Sequence, residues 1–143
     1  MTHINKSALL PYSDKKMFAL VNDVASYPDF LVGCDAAVVH HADDASMKAT
    51  LVLKKQGIKM SFTTHNALDY PKSIEMTLVE GPFSAFSGRW FFQYLKADAC
   101  KVMLDIQFTL NNPLLGVAAR NLFDSVSRNL VDSIVQRARS IYG

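Results

Sequence analysis

The C-terminal part of the chain carries one long amphipathic pattern that requires a large apolar partner surface. From Leu114 to Tyr142 the only helix-breaking residue is Gly116, and Pro113 stands where proline favours the first turn of a helix. This predicts a helix of roughly 40 Å at 1.5 Å per residue. Apolar residues recur along one side of it, namely Leu115, Ala119, Leu122, Val126, Leu130, Ile134, Ala138 and Ile141, with Phe123, Val131 and Val135 beside them.

Most of the preceding chain alternates between apolar and polar residues, which is typical of strands. Short turn-forming segments join the strands, so we expect antiparallel neighbours. Pro11 closes the first strand and places it at a sheet edge, and Ser13 is expected to cap a helix over 14–24. A second short helix is expected near Pro28, ending at Gly33. The seven predicted strands cover residues 4–10, 36–41, 47–53, 58–68, 73–79, 86–95 and 100–110.

Alternation divides the predicted sheet into an apolar face and a polar face. Only the apolar face is large enough to cover the helix, so we expect one α+β domain over 1–143 in which a curved sheet wraps the helix. The pattern is compatible both with a cavity between the layers and with a solid core. The apolar face contains Met47, Ala49, Leu51, Leu53, Ile58, Met60, Phe62, Ile74, Met76, Leu78, Trp90, Phe92, Val102, Leu104, Ile106 and Phe108, whereas Thr63, Phe91 and the charged residues face outward.

Composition narrows the classes of protein. Half of the residues are apolar and a fifth are charged, which is typical of a folded globular protein. No apolar run approaches the roughly 20 residues of a membrane span, and the N-terminus does not resemble a signal peptide, so we expect a cytoplasmic protein. The two cysteines, Cys34 and Cys100, are expected to be structural thiols. A net charge of +2 does not by itself indicate a nucleic-acid partner.

Motifs that would indicate catalysis or metal binding are weak. His40, His41, Asp43 and Asp44 lie where a strand enters a turn, and adjacent histidines on a strand point to opposite faces, so we predict no metal site. Ser13 is better explained as a helix cap than as a nucleophile. Because the inward positions carry no charged residue, we predict a binding protein rather than an enzyme, with no required cofactor.

Four segments, met in order along the whole chain, resemble the coenzyme Q-binding and RatA-like group of the polyketide cyclase and START-like superfamily. They are residues 11–31, Glu80 to Phe83, Gly88 to Phe92, and Asn112 to Gly116, the last leading into the helix that ends in 137–143. The implied fold is the helix-grip.

The resemblance implies two activities of different classes. One is binding of ubiquinone or a similar isoprenoid lipid in an apolar cavity, as a carrier or chaperone that supports respiratory electron transfer. The alternative is that of bacterial members, a ribosome-association toxin that acts on the large subunit and blocks subunit joining. A cyclase-like enzyme is a weaker alternative.

For the lipid hypothesis we predict an apolar cavity with an aromatic mouth. Trp90 and Tyr27 have polar tips that can bond either a quinone carbonyl or nearby backbone. Phe83 stands on a turn, where it either packs inward or touches the inner membrane surface during ligand exchange. The predicted cavity residues are Met60, Phe62, Met76, Trp90, Phe92, Phe123 and Val126, and the predicted mouth residues are Tyr27, Phe30, Leu31, Pro82, Phe83 and Phe86.

For the ribosome hypothesis the candidate is the outer face of the sheet. Basic residues there outnumber Glu75 and Asp105, which gives a modest positive surface; the other interpretation is that these lysines serve solubility and edge protection. The predicted basic face consists of Lys48, Lys54, Lys59, Arg89 and Lys101. Both a monomer and a dimer that buries the mouth fit the sequence.

Overall fold

The computed structural model describes residues 1–111 and 116–143. The strands are β1 (Thr2–Leu10), β2 (Cys34–Ala42), β3 (Ser46–Lys55), β4 (Ile58–Asp69), β5 (Ser73–Glu80), β6 (Phe83–Lys96) and β7 (Ala99–Leu110). The helices are α1 (Asp14–Asn22), a 3-10 helix (Val24–Asp29) and α2 (Gly116–Tyr142). The predicted helix start at Pro113, together with Leu114 and Leu115, lies outside the described residues.

The strands form one antiparallel sheet in the order β1-β7-β6-β5-β4-β3-β2. Every strand except β1 lies beside its neighbour in sequence, as the short turns predicted, and β1 closes an edge against β7. α2 contacts β1, β3, β4 and β7, so it crosses the inner face of the sheet and joins both of its halves. The predicted two-layer helix-grip fold is confirmed.

Local sequence signals explain where the helices begin and end. The Ser13 hydroxyl accepts a hydrogen bond from the Lys16 backbone N–H at 3.1 Å, which caps α1 as predicted. Pro28 lies inside the 3-10 helix, which confirms the second short helix, but this helix ends at Asp29 and not at Gly33 as predicted. Gly33 follows at a φ of +93°, a conformation that glycine adopts without steric cost.

Turn chemistry also accounts for the histidine and aspartate cluster. Asp43 Oδ1 accepts hydrogen bonds from the backbone N–H groups of Ala45 and Ser46, each at 2.8 Å, and His41 Nε2 lies 2.9 Å from Asp43 Oδ2. The bond from His41, followed by the two backbone donors, lowers the pKa of Asp43 to about 2. The cluster therefore shapes the turn between β2 and β3.

The predicted division into two faces is confirmed, with two corrections. Phe91 is 40% exposed on the outer face, as its register predicts. Thr63 was predicted to be exposed but is buried, next to the point where β4 shifts register against β5; its hydroxyl lies 2.5 Å from that of Thr50, which provides a hydrogen-bond partner there. Ile141 was assigned to the buried stripe of the helix but is 51% exposed, in the last turn of α2.

The sheet splits at one end. β5 pairs with β6 only from Ser73 to Thr77. Beyond that point β5 stays with β4, up to the pair Glu80 and Thr63, while the start of β6 stays with β7. A cluster of aromatic rings fills the split, with centroids 4.6 to 6.2 Å apart; we call it the Phe cluster, and it consists of Phe62, Phe83, Phe86, Phe108 and Phe123.

Candidate functional site

A cavity lies between the inner face of the sheet and the helices. Its volume is about 70 Å³, measured as the space open to the centre of a water-sized sphere. One water molecule needs roughly 10–15 Å³ by that measure, so the cavity has room for several waters or one small organic group. Apolar side chains from α1, the 3-10 helix, α2 and five strands form most of its wall, among them Val21, Val24, Ala49, Leu51, Leu53, Ile74, Ile106 and Leu130.

Five of the seven predicted cavity residues border this cavity, namely Phe62, Met76, Trp90, Phe123 and Val126. Phe92 does not, because it lies one inward position further along β6 and packs against Phe18 of α1 at 5.4 Å between ring centroids. Met60 is also buried, yet it lies nearer the hairpin between β3 and β4 and borders a hollow on the outer side of the sheet instead. Alternation identifies the inward face, but not the distance along a strand at which the cavity lies.

The predicted mouth is divided in the structure. Tyr27, Leu31 and Phe86 border the cavity. Phe30 does not, because its ring lies under the guanidinium of Arg137, 5.2 Å from the ring centroid. Pro82 also lies away from the cavity, beside the outer hollow.

Phe83 packs inward rather than extending from its turn. Its ring centroid lies 5.0 Å from that of Phe123 and 5.4 Å from that of Phe86, within the Phe cluster. The inward alternative given for this residue is therefore the observed one, and Phe83 is half-buried against the core. None of the helices in the described part of the chain is long and apolar enough to cross a membrane.

Part of the cavity wall is polar, and sequence reasoning missed it. Asn22, Thr64, Asn66 and Ser127 border the cavity. Thr64 Oγ1 donates a hydrogen bond to Asn66 Oδ1 at 2.8 Å. Asn22 Oδ1 is buried and has no hydrogen-bond partner among the described residues. Thr64 and Asn66 continue the inward alternation beyond Phe62, so the pattern contained a signal for two of the four.

The cavity wall contains little acid–base chemistry. Among the described residues that border it, Tyr27 is the only titratable one. Its hydroxyl donates to the Val21 carbonyl at 2.5 Å, and burial, followed by the nearby Cys34 and Asp23, raises its pKa well above the ordinary range. Tyr27 is therefore a neutral structural donor at physiological pH, and its bond joins the 3-10 helix to α1.

The predicted basic face separates into two halves. Arg89 forms an ion pair with Glu75, and Lys101 is half-buried on β7, so the half formed by β5 to β7 has little free positive charge. Lys48, Lys54 and Lys59 on β3 and β4 are exposed, and none of the three forms an ion pair with another described residue.

The lysines of β3 and β4 lie along one hairpin, with Lys54 and Lys59 at its turn end and Lys48 further along β3, opposite His65. Lys54 and Lys59 lie directly opposite each other across the two strands. Gln56 and Gly57, at φ values of 51° and 81°, form the turn between the next pair, Lys55 and Ile58, and this two-residue turn type suits a hairpin. Lys55, which sequence reasoning left out of the basic face, is exposed beside this turn. We call Lys48, Lys54, Lys55 and Lys59 the lysine hairpin.

Comparison with known proteins agrees with this architecture. The family described as polyketide cyclase / dehydrase and lipid transport matches residues 10–135. The chain belongs to this family. Within it, a protein of Vibrio cholerae named ribosome association toxin RatA is 41% identical over 143 residues, which cover 100% of this chain and 99% of the relative. The resemblance found in the sequence is thereby confirmed.

More distant members of the polyketide cyclase family differ in what their names state. A Drosophila melanogaster protein named coenzyme Q-binding protein COQ10, mitochondrial, is 22% identical over 138 residues, which cover 94% of this chain and 57% of that protein. The structure of the Zhui aromatase/cyclase from Streptomyces has a TM-score of 0.77 at 14% identity, over 96% of this chain and 93% of that one. At this identity the structural likeness establishes the fold alone.

Proposed function

We propose that the protein binds the ribosome and interferes with the joining of its subunits, and that the lysine hairpin contacts ribosomal RNA. The observation that carries this proposal is full-length similarity, at 41% identity, to a relative named ribosome association toxin. This similarity spans nearly all of both chains, whereas the similarity to the coenzyme Q-binding protein is about half as strong and covers 57% of that protein.

The hairpin supplies the physical argument for a polyanionic partner. Like charges directly opposite each other on paired strands destabilise a sheet, so the pair of Lys54 and Lys59 has a cost in the free protein. Phosphate groups placed against the hairpin would remove that repulsion. Each lysine that contacts a phosphate also releases a condensed counterion, which strengthens binding and makes it depend on salt.

The test is cosedimentation with isolated large subunits at several salt concentrations. For a Lys54→Gln, Lys59→Gln variant we expect several-fold weaker binding and a slope of log affinity against log salt that is smaller by about 2, one for each lysine. A Lys6→Gln, Lys72→Gln variant makes the same charge change on exposed lysines outside the hairpin and should behave like the wild type. Equal losses in both variants would rule out the hairpin as the contact.

The effect on subunit joining needs its own measurement. Small and large subunits are mixed with the protein, and the fraction that forms complete ribosomes is measured on a sucrose gradient. We expect the wild type to lower this fraction and the hairpin variant to be weaker. Tight binding without any change in this fraction would refute interference with joining while leaving ribosome binding intact.

A second candidate function is binding of a quinone or similar lipid, supported by the apolar cavity. Burial of each CH₂ group contributes roughly 0.8 kcal/mol, so a hydrocarbon ligand needs no charged anchor. At about 70 Å³ the cavity is too small for a long isoprenoid tail, so in this proposal the tail leaves through the split end of the sheet and displaces part of the Phe cluster.

This candidate is tested by organic extraction and mass spectrometry of protein purified from its native host. The control is Val126→Phe, which fills the cavity from α2. A stoichiometric lipid in the wild type that is missing from the folded variant would support a carrier. An extract without lipid, followed by no quinone binding on titration, would refute it.

The residues that border the cavity favour binding of a ligand over catalysis. General acid–base catalysis needs a group that titrates near the working pH within reach of the substrate. Tyr27 has a raised pKa, and its hydroxyl already donates a hydrogen bond to the Val21 carbonyl. We therefore expect no cyclase activity; turnover of a polyketide substrate that is abolished by Tyr27→Phe would contradict this.

A further inference from the structure

We propose that the cavity selects an uncharged, mainly apolar ligand that carries a hydroxyl group, and that Asn22 is the residue that recognises this hydroxyl. The proposal rests on the second candidate function, ligand binding in the cavity, and adds the chemical class of the ligand. In quinone chemistry it corresponds to preference for the reduced hydroquinone over the oxidised quinone.

The amide oxygen of Asn22 is a strong, unpaired acceptor at the cavity wall, where it is buried without a hydrogen-bond partner among the described residues. A buried polar group left unpaired costs roughly 1–3 kcal/mol, so a ligand that supplies a donor there gains affinity over one that does not. Asn22 is the last residue of α1, which places its side chain on an ordered element.

Asn66 complements this acceptor with a donor. Thr64 already donates to the amide oxygen of Asn66, which orients the amide and leaves its NH₂ group to donate. Ser127 of α2 borders the same small cavity. A hydroxyl can donate to Asn22 and accept from Asn66 or Ser127, whereas a carbonyl or ether oxygen can only accept.

The rest of the wall excludes charged ligands. Among the described residues that border the cavity there is no lysine, arginine, histidine, aspartate or glutamate, so a carboxylate or an ammonium group would enter without a counterion. Fatty acids and lipid phosphates therefore fit poorly. Alcohols, phenols and hydroquinones combine an apolar body with the required donor.

A matched pair of small probes tests this directly. 2-Decanol and 2-decanone share one carbon skeleton, and only the alcohol can donate a hydrogen bond. Binding is followed through the fluorescence of Trp90, the single tryptophan of the chain, which borders the cavity. We expect the wild type to bind the alcohol roughly tenfold more tightly than the ketone, as one satisfied buried acceptor implies.

Asn22→Leu removes the acceptor at similar volume and should bring the two affinities within about twofold of each other, chiefly by weakening the alcohol. Asn66→Leu serves as a second variant should Asn22→Leu not fold, and it should weaken both probes because both accept a hydrogen bond. Reduced and oxidised decylubiquinone then extend the comparison, with the reduced form expected to bind more tightly.

The outcomes separate this inference from the function on which it rests. Binding of neither probe by the wild type would refute both cavity binding and hydroxyl selection. Equal binding of alcohol and ketone by the wild type would refute hydroxyl selection alone. A tenfold preference that persists unchanged in Asn22→Leu would refute the role of Asn22.

Discussion

Replacement of Phe123 by alanine tests whether the Phe cluster holds α2 against the split sheet. Phe123 is 3% exposed, and its ring centroid lies 4.6 Å from Phe108, 5.0 Å from Phe83 and 5.4 Å from Phe62. Because several rings bury Phe123, we expect the substitution to lower the free energy of unfolding by about 4–5 kcal/mol, in the upper part of the range usual for Phe→Ala. For a chain of 143 residues the unfolding entropy is about 0.3 kcal/mol per K, so Tm should fall by about 13–17 °C.

The matched control is Phe91→Ala, the same chemical change at a position that is 40% exposed on the outer face. We expect it to cost only about 1–2 kcal/mol, because the ring already contacts water and its loss leaves no closed cavity. Both variants are melted by circular dichroism. A decrease in Tm for Phe91→Ala as large as for Phe123→Ala would refute the reasoning.

A ligand-binding measurement adds an independent check on Phe123→Ala. Removal of the ring enlarges an apolar cavity, and such cavities take up benzene. Benzene bound to the folded state alone should raise the Tm of Phe123→Ala by linkage and leave that of Phe91→Ala unchanged. If benzene has no effect on Phe123→Ala, the neighbouring rings have collapsed into the space, and the predicted decrease in Tm must then be smaller as well.

Three further predictions follow from buried contacts. Gly33→Ala should lower the free energy of unfolding by about 2 kcal/mol or more, because alanine is strained at a φ of +93° and its Cβ would lie 2.7 Å from a methyl group of Val126. Urea denaturation measures this loss of stability. Tyr27→Phe should cost about 1 kcal/mol in the same assay through loss of the bond to backbone, and an unchanged midpoint would contradict that bond. Burial raises the pKa of Cys34 and of Cys100 to about 11. Because the thiols of the unfolded chain ionise first, folding stability should fall as the pH rises from about 9 to 11. This alkaline loss of stability should be smaller in the Cys34→Ala, Cys100→Ala variant, and an identical pH profile would count against the prediction.

Much of the fold could be read from the sequence because burial is one-sided. In an antiparallel sheet with one wet face, a regular strand alternates between the faces, so the segments from Met47 to Leu53 and from Cys100 to Leu110 could be assigned a face residue by residue. The turns were equally clear, since Gln56-Gly57 and the Asp43 turn act through local hydrogen bonds and backbone preference. The helix stripe likewise required a sheet of matching size.

The cavity wall was less accessible to such reasoning because its position depends on long-range geometry. Phe62, Trp90 and Phe92 look equivalent in the alternating pattern, yet Phe92 contacts α1 while the other two border the cavity. That distinction depends on how the curved sheet meets a straight helix, which no local pattern encodes. Asn22 illustrates the same limit, since only the packing of α1 against the sheet brings it to the cavity.

The basic residues on the outer face of the sheet could be located from the sequence, but their ion pairs could not. The sequence by itself determined that Lys48, Lys54, Lys59 and Arg89 share the outer face, because alternation is a local property of each strand. Only the tertiary structure decided which of them carry free charge, because ion pairing depends on strand register: β5 sets Glu75 opposite Arg89, whereas the hairpin sets Lys54 opposite Lys59. Strand pairing also places the Phe83 ring within the Phe cluster, because the start of β6 remains paired with β7 where β5 has separated from β6.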